Sequence, residues 1–324
     1  MTTGVLLGPQ RHAITVTDEI IALGITGRIA VVTAGWQERE AEDDELQVAL
    51  GHRAVNLRLH KRVDDVFARD SELFDAHRAR QDKLRQLQEL YRIRLDHTLA
   101  AARALYASQA PAELLEPERA AAIASLQALD AHHLARIRAL HDAFEAAVRP
   151  AERPVLREHR QEIHALIHGC EAVAIAGGHV STLLNRMRLL DVLGDLGARP
   201  IIAWSAGAMV VSDRVVLFHD RPPEGPGNAE ILDEGLGLFP NVVALPHATQ
   251  RLQMDDRPRM AMFALRFSPA LCVALDPRCR ASYDGERWTA AVGTQYIAPD
   301  GSLVAMQPRP VRPPSDIAAP PQPF

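Results

Sequence analysis

Ser205 is the residue best placed to do chemistry. It stands at the apex of Ile201–Met209, where the apolar run Pro200-Ile201-Ile202-Ala203-Trp204 gives way to Ala206, Gly207 and Ala208 and then to residues suited to a helix. That order reads as a strand, a very tight turn and a helix. It is a looser form of the Gly-x-Ser-x-Gly nucleophile elbow, with Ala203 at the place of the first glycine. Small neighbours are needed because the turn is strained and a bulky Cβ would collide with strand or helix. The turn lifts Oγ clear of the sheet and aims the Ala206 N–H at any oxyanion formed by its attack. A nucleophilic serine also needs a histidine to take its proton and a carboxylate to orient that histidine. His247, 42 positions on, and Asp220, 15 positions on, follow apolar runs and supply both types. Asp213, Glu230, Asp233 and Glu234 are the fallback carboxylates. Nine residues alone also fit a buried strand-to-helix turn with an incidental serine.

The elements that must position these residues read as an α/β pattern. Val5–Leu7, Arg28–Gly35 and Ala54–Leu59 are strand-like, with helices expected at Glu19–Leu23 and Glu38–Leu50. Strands alternating with helices at this spacing predict a parallel sheet. From about Asp64 to Pro150 glycine and proline nearly vanish. Leu73, Leu84, Leu87, Leu90, Tyr91, Ile93 and Leu95, then Leu126, Leu129, Leu134, Ile137, Leu140 and Phe144, sit among charges at helical spacing. Ala110-Pro111 separates the two runs, so Asp70–Ser108 and about Glu116–Val148 form an antiparallel helical hairpin inserted into the α/β unit. The histidines there match no metal-ligand spacing and read as solvated or interhelical, so no metal and no cofactor is expected.

The α/β pattern resumes with a helix at Val155–His168 and a buried strand at Ala172–Ala176 running into Gly177-Gly178-His179. Two consecutive strand–glycine–helix units place their glycines at strand C-termini, where such sheets put their sites. Further strands are expected at Val215–Phe218, Val242–Leu245, Leu271–Leu275, Ala281–Tyr283, Trp288–Val292 and Gln295–Ile297, with a Gly/Pro-rich loop before Gly235 and a helix at Pro258–Phe267. From Met306 proline dominates, which predicts a disordered tail. The organisation is therefore 1–63 and 151–305 as two parts of one α/β domain, 64–150 as the hairpin, and 306–324 as the tail.

Composition narrows the class. Hydrophobic residues make up 47% of 324, and 36 basic against 41 acidic residues give a net charge of −5, with no basic signature for nucleic acid. Three scattered cysteines make neither a disulfide framework nor a zinc site. No apolar stretch reaches membrane length and no signal-like start is seen, so a soluble cytoplasmic protein is expected.

Together these motifs resemble the serine peptidase family of dipeptidase E and cyanophycinase, whose fold is similar to class I glutamine amidotransferases. The resemblance rests on Gly177-Gly178-His179 followed by Leu183-Leu184, the elbow Trp204–Ala208, Asp220-Arg221-Pro222, Gly235–Pro240, and Pro246-His247 at a strand end. It covers roughly Val155–Ile297 and, more loosely, the N-terminal strands. It implies Ser205 as nucleophile, His247 as general base and acid, Asp220 as orienting carboxylate, and the N–H groups of Gly178 and Ala206 as the oxyanion hole. Acyl transfer through an acyl-enzyme to water follows, on peptide or isopeptide bonds of short substrates. Gly177, His179 (where the family usually has asparagine) and Arg257 are the candidate substrate contacts, with Arg251 and Arg259 the other arginines in that region. Two other readings stand beside it: a non-catalytic scaffold working through the helical arm, and a small-metabolite amidase or esterase. The arm itself is a lid, a surface for a homodimer or partner protein, or a solvated appendage.

Overall fold

A computed structural model of the chain describes residues 3–220, 227–306 and 309–310. The strands are β1 (Gly4–Leu7), β2 (Ile29–Val32), β3 (Ala54–Asn56), β4 (Ala172–Ile175), β5 (Ile201–Trp204), β6 (Arg214–Leu217), β7 (Glu230–Glu234), β8 (Val242–Pro246), β9 (Leu271–Leu275), β10 (Arg280–Tyr283), β11 (Arg287–Ala290), β12 (Gln295–Ile297), β13 (Leu303–Ala305) and β14 (Arg309–Pro310). The α-helices are α1 (Val16–Ala22), α2 (Asp44–Ala49), α3 (Leu59–Arg69), α4 (Ser71–Ala107), α5 (Ala112–Val148), α6 (Pro154–His168), α7 (Val180–Leu189), α8 (Ala206–Val210), α9 (Ala248–Arg251) and α10 (Arg257–Phe267).

Strands β1, β2, β4 and β5 are buried at every residue, which is why they read as unbroken apolar runs rather than alternating ones. With β3 they form the parallel part of an eight-stranded sheet ordered β14-β11-β10-β1-β5-β4-β2-β3, whose β10, β11 and β14 run antiparallel. The parallel sheet flanked by helices is as expected. A second sheet, β13-β12-β9-β8, pairs β8 and β9 in parallel, with Pro246 opposite Leu275. That register sets His247 beside Asp276.

Several boundaries differ from the sequence reading. Glu38–Leu50 is not one helix: a 3₁₀ segment spans Ala34–Arg39 and α2 is only Asp44–Ala49. Leu59 opens α3 instead of closing a strand. The segment read as a loop before Gly235 contains β7, paired antiparallel with β6. Three acidic residues in five hide that strand, and alternate positions Ile231 and Asp233 are buried. Asp233 tolerates its place because Arg188 donates to it at 2.9 Å and His141 sits 3.0 Å away. Of the expected tail, Arg309–Pro310 pairs with β11, and 307–308 and 311–324 lie outside the described residues.

The hairpin is two 37-residue helices, α4 and α5, packed along each other. Asp70 caps the first through a 3.0 Å bond from the Leu73 N–H, and Pro111 stands at the start of the second. Their shared face buries Leu73, Tyr91, Leu95, Leu99, Leu126, Leu129 and Phe144, whereas Leu90 and Ile93 are exposed. The arm is no free appendage. Arg266 of α10 donates to both oxygens of Asp130 at 2.7 and 2.8 Å and to the Tyr91 hydroxyl at 2.7 Å, all out of water. The Tyr91 hydroxyl in turn donates to Asp130 at 2.7 Å. His133 stacks on Tyr91 with ring centroids 3.9 Å apart, and burial pushes its pKa down to about 4. His77, also buried, is pushed down to about 3. Both are therefore neutral core imidazoles.

Removing one member of a buried ion pair strands the other charge, at a cost of about 3–5 kcal/mol. Asp130→Ala should lower the unfolding free energy by about that much in a denaturant titration, and Asp130→Leu combined with Arg266→Met should recover most of it. Equal losses in the single and double variants would show that packing, not charge, is what Asp130 contributes.

Candidate active site

Ser205 joins β5 directly to α8 with φ 52° and ψ −123°, a conformation that L side chains rarely adopt. The tightness of the turn is set by its glycine neighbours. A Cβ on Gly207 would lie 2.2 Å from the Ile175 carbonyl oxygen, so only glycine lets α8 start this close to the end of β4. A Cβ on Gly177 would lie 2.6 Å from the Ser205 Cβ, so Gly177 keeps open the space behind the serine. Gly178, at φ +116°, packs its α-carbon against Gly35.

His247 follows β8 in the left-handed region, φ 58° and ψ 38°, and donates its N–H to the Leu275 carbonyl at 3.2 Å. Ser205, His247, Gly178, Ala206 and Arg251 all line one cavity of about 290 Å³. This cavity brings together the expected nucleophile, the expected base and both expected oxyanion donors. Ala206 is the first residue of α8, and backbone N–H groups in a helix's first turn lack intrahelical acceptors.

Burial, and then the Arg251 guanidinium, push the His247 pKa below the ordinary imidazole value, while the Asp276 carboxylate and the Gln250 side chain hold it up. Asp276 accepts from the Thr249 N–H at 3.2 Å and the Thr249 hydroxyl at 3.0 Å, both through Oδ1. It was not among the carboxylates expected from sequence. The available signal was the parallel between two apolar runs, Val242–Leu245 ending in Pro246-His247 and Leu271–Leu275 ending in Asp276-Pro277.

Asp220 is placed elsewhere. Both of its oxygens face Arg259, one accepting from Nε at 3.0 Å and the other from Nη2, and the Gln253 N–H adds a bond of 2.9 Å. Its own N–H donates to the Arg251 carbonyl at 2.7 Å. No hydrogen bond joins it to His247 among the described residues, because Arg259 and Gln253 occupy its carboxylate. Arg221 and Pro222 of the same motif lie outside the described residues.

The fallback carboxylates are committed as well: Asp213 to the Asn241 N–H, Glu230 to Gln88 and Arg92, Asp233 to Arg188 and His141, and Glu234 to Arg138. His179 caps α7, its Nδ1 accepting from the Thr182 N–H at 3.2 Å, and takes the job an asparagine does at such a position. Arg257 is exposed at the start of α10 and lines neither this cavity nor the one beside the hairpin. The arginine that lines the Ser205 cavity is Arg251.

The model of peptidase family S51 matches residues 123–289, just over half of the chain and inclusive of every residue of this cavity. The chain belongs to peptidase family S51. Two solved structures are similar. A peptidase from an acI-B1 actinobacterium covers 96% of this chain and 97% of its own at 12% identity and TM-score 0.47. A peptidase E-type protein from Listeria monocytogenes EGD-e covers 40% and 64% at 14% identity and TM-score 0.30. No curated protein matches the chain. The S51 match begins inside α5, so α4 and the N-terminal strands lie outside it. Among the described residues no helix is long and apolar enough to cross a membrane, and no three His, Cys, Asp or Glu side chains cluster as a metal site would require.

Proposed function

We propose that the chain is a serine peptidase that cleaves peptide or isopeptide bonds of short substrates through an acyl-enzyme on Ser205. The observation that carries this is a serine on a strained elbow sharing one cavity with His247 and with the Ala206 and Gly178 backbones. Neutral His247 takes the Ser205 proton as Oγ attacks the carbonyl carbon. The Ala206 and Gly178 N–H groups receive the developing oxyanion. The C–N bond breaks, His247 protonates the departing amine, and water then attacks the ester with His247 again as base. Asp276 is the orienting carboxylate in this scheme, because the β8–β9 register sets it beside His247. Asp220 instead ties the segment after His247 to α10. Arg251 contributes a cation facing the substrate.

Because burial lowers the His247 pKa, its working neutral form persists to more acidic pH than a free imidazole's. The acid limb of kcat/KM should therefore fall below pH 6.5, the ordinary imidazole value. A limb above that value would mean that His247 is held as the cation. A panel of di- to tetrapeptides, blocked at either end, against acyl esters of similar size tests the reaction class. Peptide turnover with a pre-steady-state burst of the first product supports the peptidase, and turnover of esters alone would move the assignment to a small-molecule esterase.

A further inference from the structure

A second cavity, of about 330 Å³, lies where α4 meets α10. Its size is that of a small-ligand pocket. Leu99 and Tyr106 from the hairpin face Met262 and Phe263 from α10 across it. The charged side chains on its wall are mostly neutralised in pairs: Arg259 on Asp220, and Arg266 on Asp130. Asp256 spends Oδ1 capping α10.

Arg103 is the cation left over, as Asp256 is the anion. It forms no ion pair among the described residues, and its Nη2 donates to the Asn228 side-chain oxygen at 2.5 Å. Asn228 is itself fixed by a 2.7 Å bond to Asp96. The guanidinium is thus oriented, with most of its donors unengaged among the described residues. Arg103 is exposed as a residue, yet the charged end lies in enough protein for burial, and then Arg259, to push its pKa down. Asp220, Asp96 and Asp256 act the other way.

The two cavities share one segment. Leu217 lines the Ser205 cavity, and Asp220, three residues on, lines the second. Three residue steps span at most about 10 Å. A peptide with its scissile carbonyl at Ser205 therefore reaches the second cavity with a residue two or three positions away.

We propose that this cavity is a specificity subsite of the Ser205 reaction, taking an apolar side chain and pairing an adjacent peptide carboxylate with Arg103. It rests on the peptidase reading for its link to Ser205, and α4, which lies outside the family match, supplies the recognising cation. A guanidinium meets a carboxylate through two parallel N–H bonds, which an amide cannot reproduce.

The test uses the full chain carrying Ser205→Ala, so that ligand is bound and not cut, with calorimetric titration of three probes: Ac-Ala-Ala-Phe as free acid, the same peptide as its amide, and Ac-Ala-Asp-Phe-amide. The free acid should bind about tenfold tighter than its amide, the scale of one charge-assisted contact, and adding Arg103→Gln should erase the difference. Arg103→Lys should restore part of it. Tight binding of the Asp-containing amide instead, with the same dependence on Arg103, assigns the carboxylate to a side chain. Equal binding of all three, no binding, or a preference indifferent to Arg103 overturns the subsite. Phosphonate labelling of the unmodified chain reports on Ser205 separately. Labelling without a carboxylate preference overturns the subsite alone. An Arg103-dependent preference without labelling keeps the binding site and overturns its link to catalysis.

Discussion

Ser205→Gly should raise the thermal midpoint while abolishing turnover, and Ser205→Ala should abolish turnover at an unchanged midpoint. A side chain held at φ 52° and ψ −123° stores about 1–3 kcal/mol of backbone strain. Glycine relieves that strain but returns about 0.5–1 kcal/mol to the unfolded chain. The net gain is about 1 kcal/mol, or about 2 °C for a chain of this size. Alanine keeps the Cβ and therefore the strain. Both variants lack the nucleophile, so kcat should drop by about 10⁴–10⁶-fold, leaving only what the oxyanion donors and substrate binding contribute. Scanning calorimetry and peptide turnover on the same preparations read both effects. A glycine variant no more stable than the parent would show that the elbow is not strained, and an active alanine variant would place the nucleophile elsewhere.

The second large effect separates two carboxylates. Asp276→Asn keeps the shape beside His247 but removes the charge that, in the proposed scheme, holds one tautomer and stabilises the imidazolium formed during attack. A loss of about 10³–10⁴-fold in kcat is expected. Since the Asp276 charge raises the His247 pKa, its removal should also move the acid limb of the pH profile to lower pH. Asp220→Asn should behave differently. It leaves Arg259 without its counter-ion, destabilising the fold by about 3 kcal/mol, at the low end for a buried pair because Arg259 keeps some contact with water. Its kcat should change by less than tenfold and its acid limb should stay in place. The reverse pattern, a kinetic collapse for Asp220 and a mild loss for Asp276, would return the orienting role to Asp220.

What could be read from the chain was whatever a local pattern encodes. The elbow shows itself because Ala206, Gly207 and Ala208 crowd around one serine, and Gly177 and Gly178 because they end an apolar strand. The hairpin shows itself as a long stretch nearly free of glycine and proline. Asp276 was hard to read for a physical reason: it comes beside His247 only through the parallel pairing of β8 with β9, and the two residues are 29 positions apart along the chain. β7 was missed because a buried Asp233 breaks strand alternation, and its partners Arg188 and His141 come from distant helices. The role expected of Asp220 rested on order along the chain and on the resemblance of Asp220-Arg221-Pro222 to a family motif, and neither reveals that Arg259, 39 positions later, takes both carboxylate oxygens. The inner face of the hairpin was likewise unreadable, since Arg266 and Asp130 become one buried pair only after α10 docks.

The most direct test of the central claim is intact-mass spectrometry after treatment with a serine-directed phosphonate, comparing the parent chain with Ser205→Ala. A single adduct on the parent that is absent from the variant is the expected result, because only a serine activated by a neighbouring base reacts at such a rate. A folded parent chain that takes no adduct, or a variant that still takes one, would contradict the assignment of Ser205 as the nucleophile.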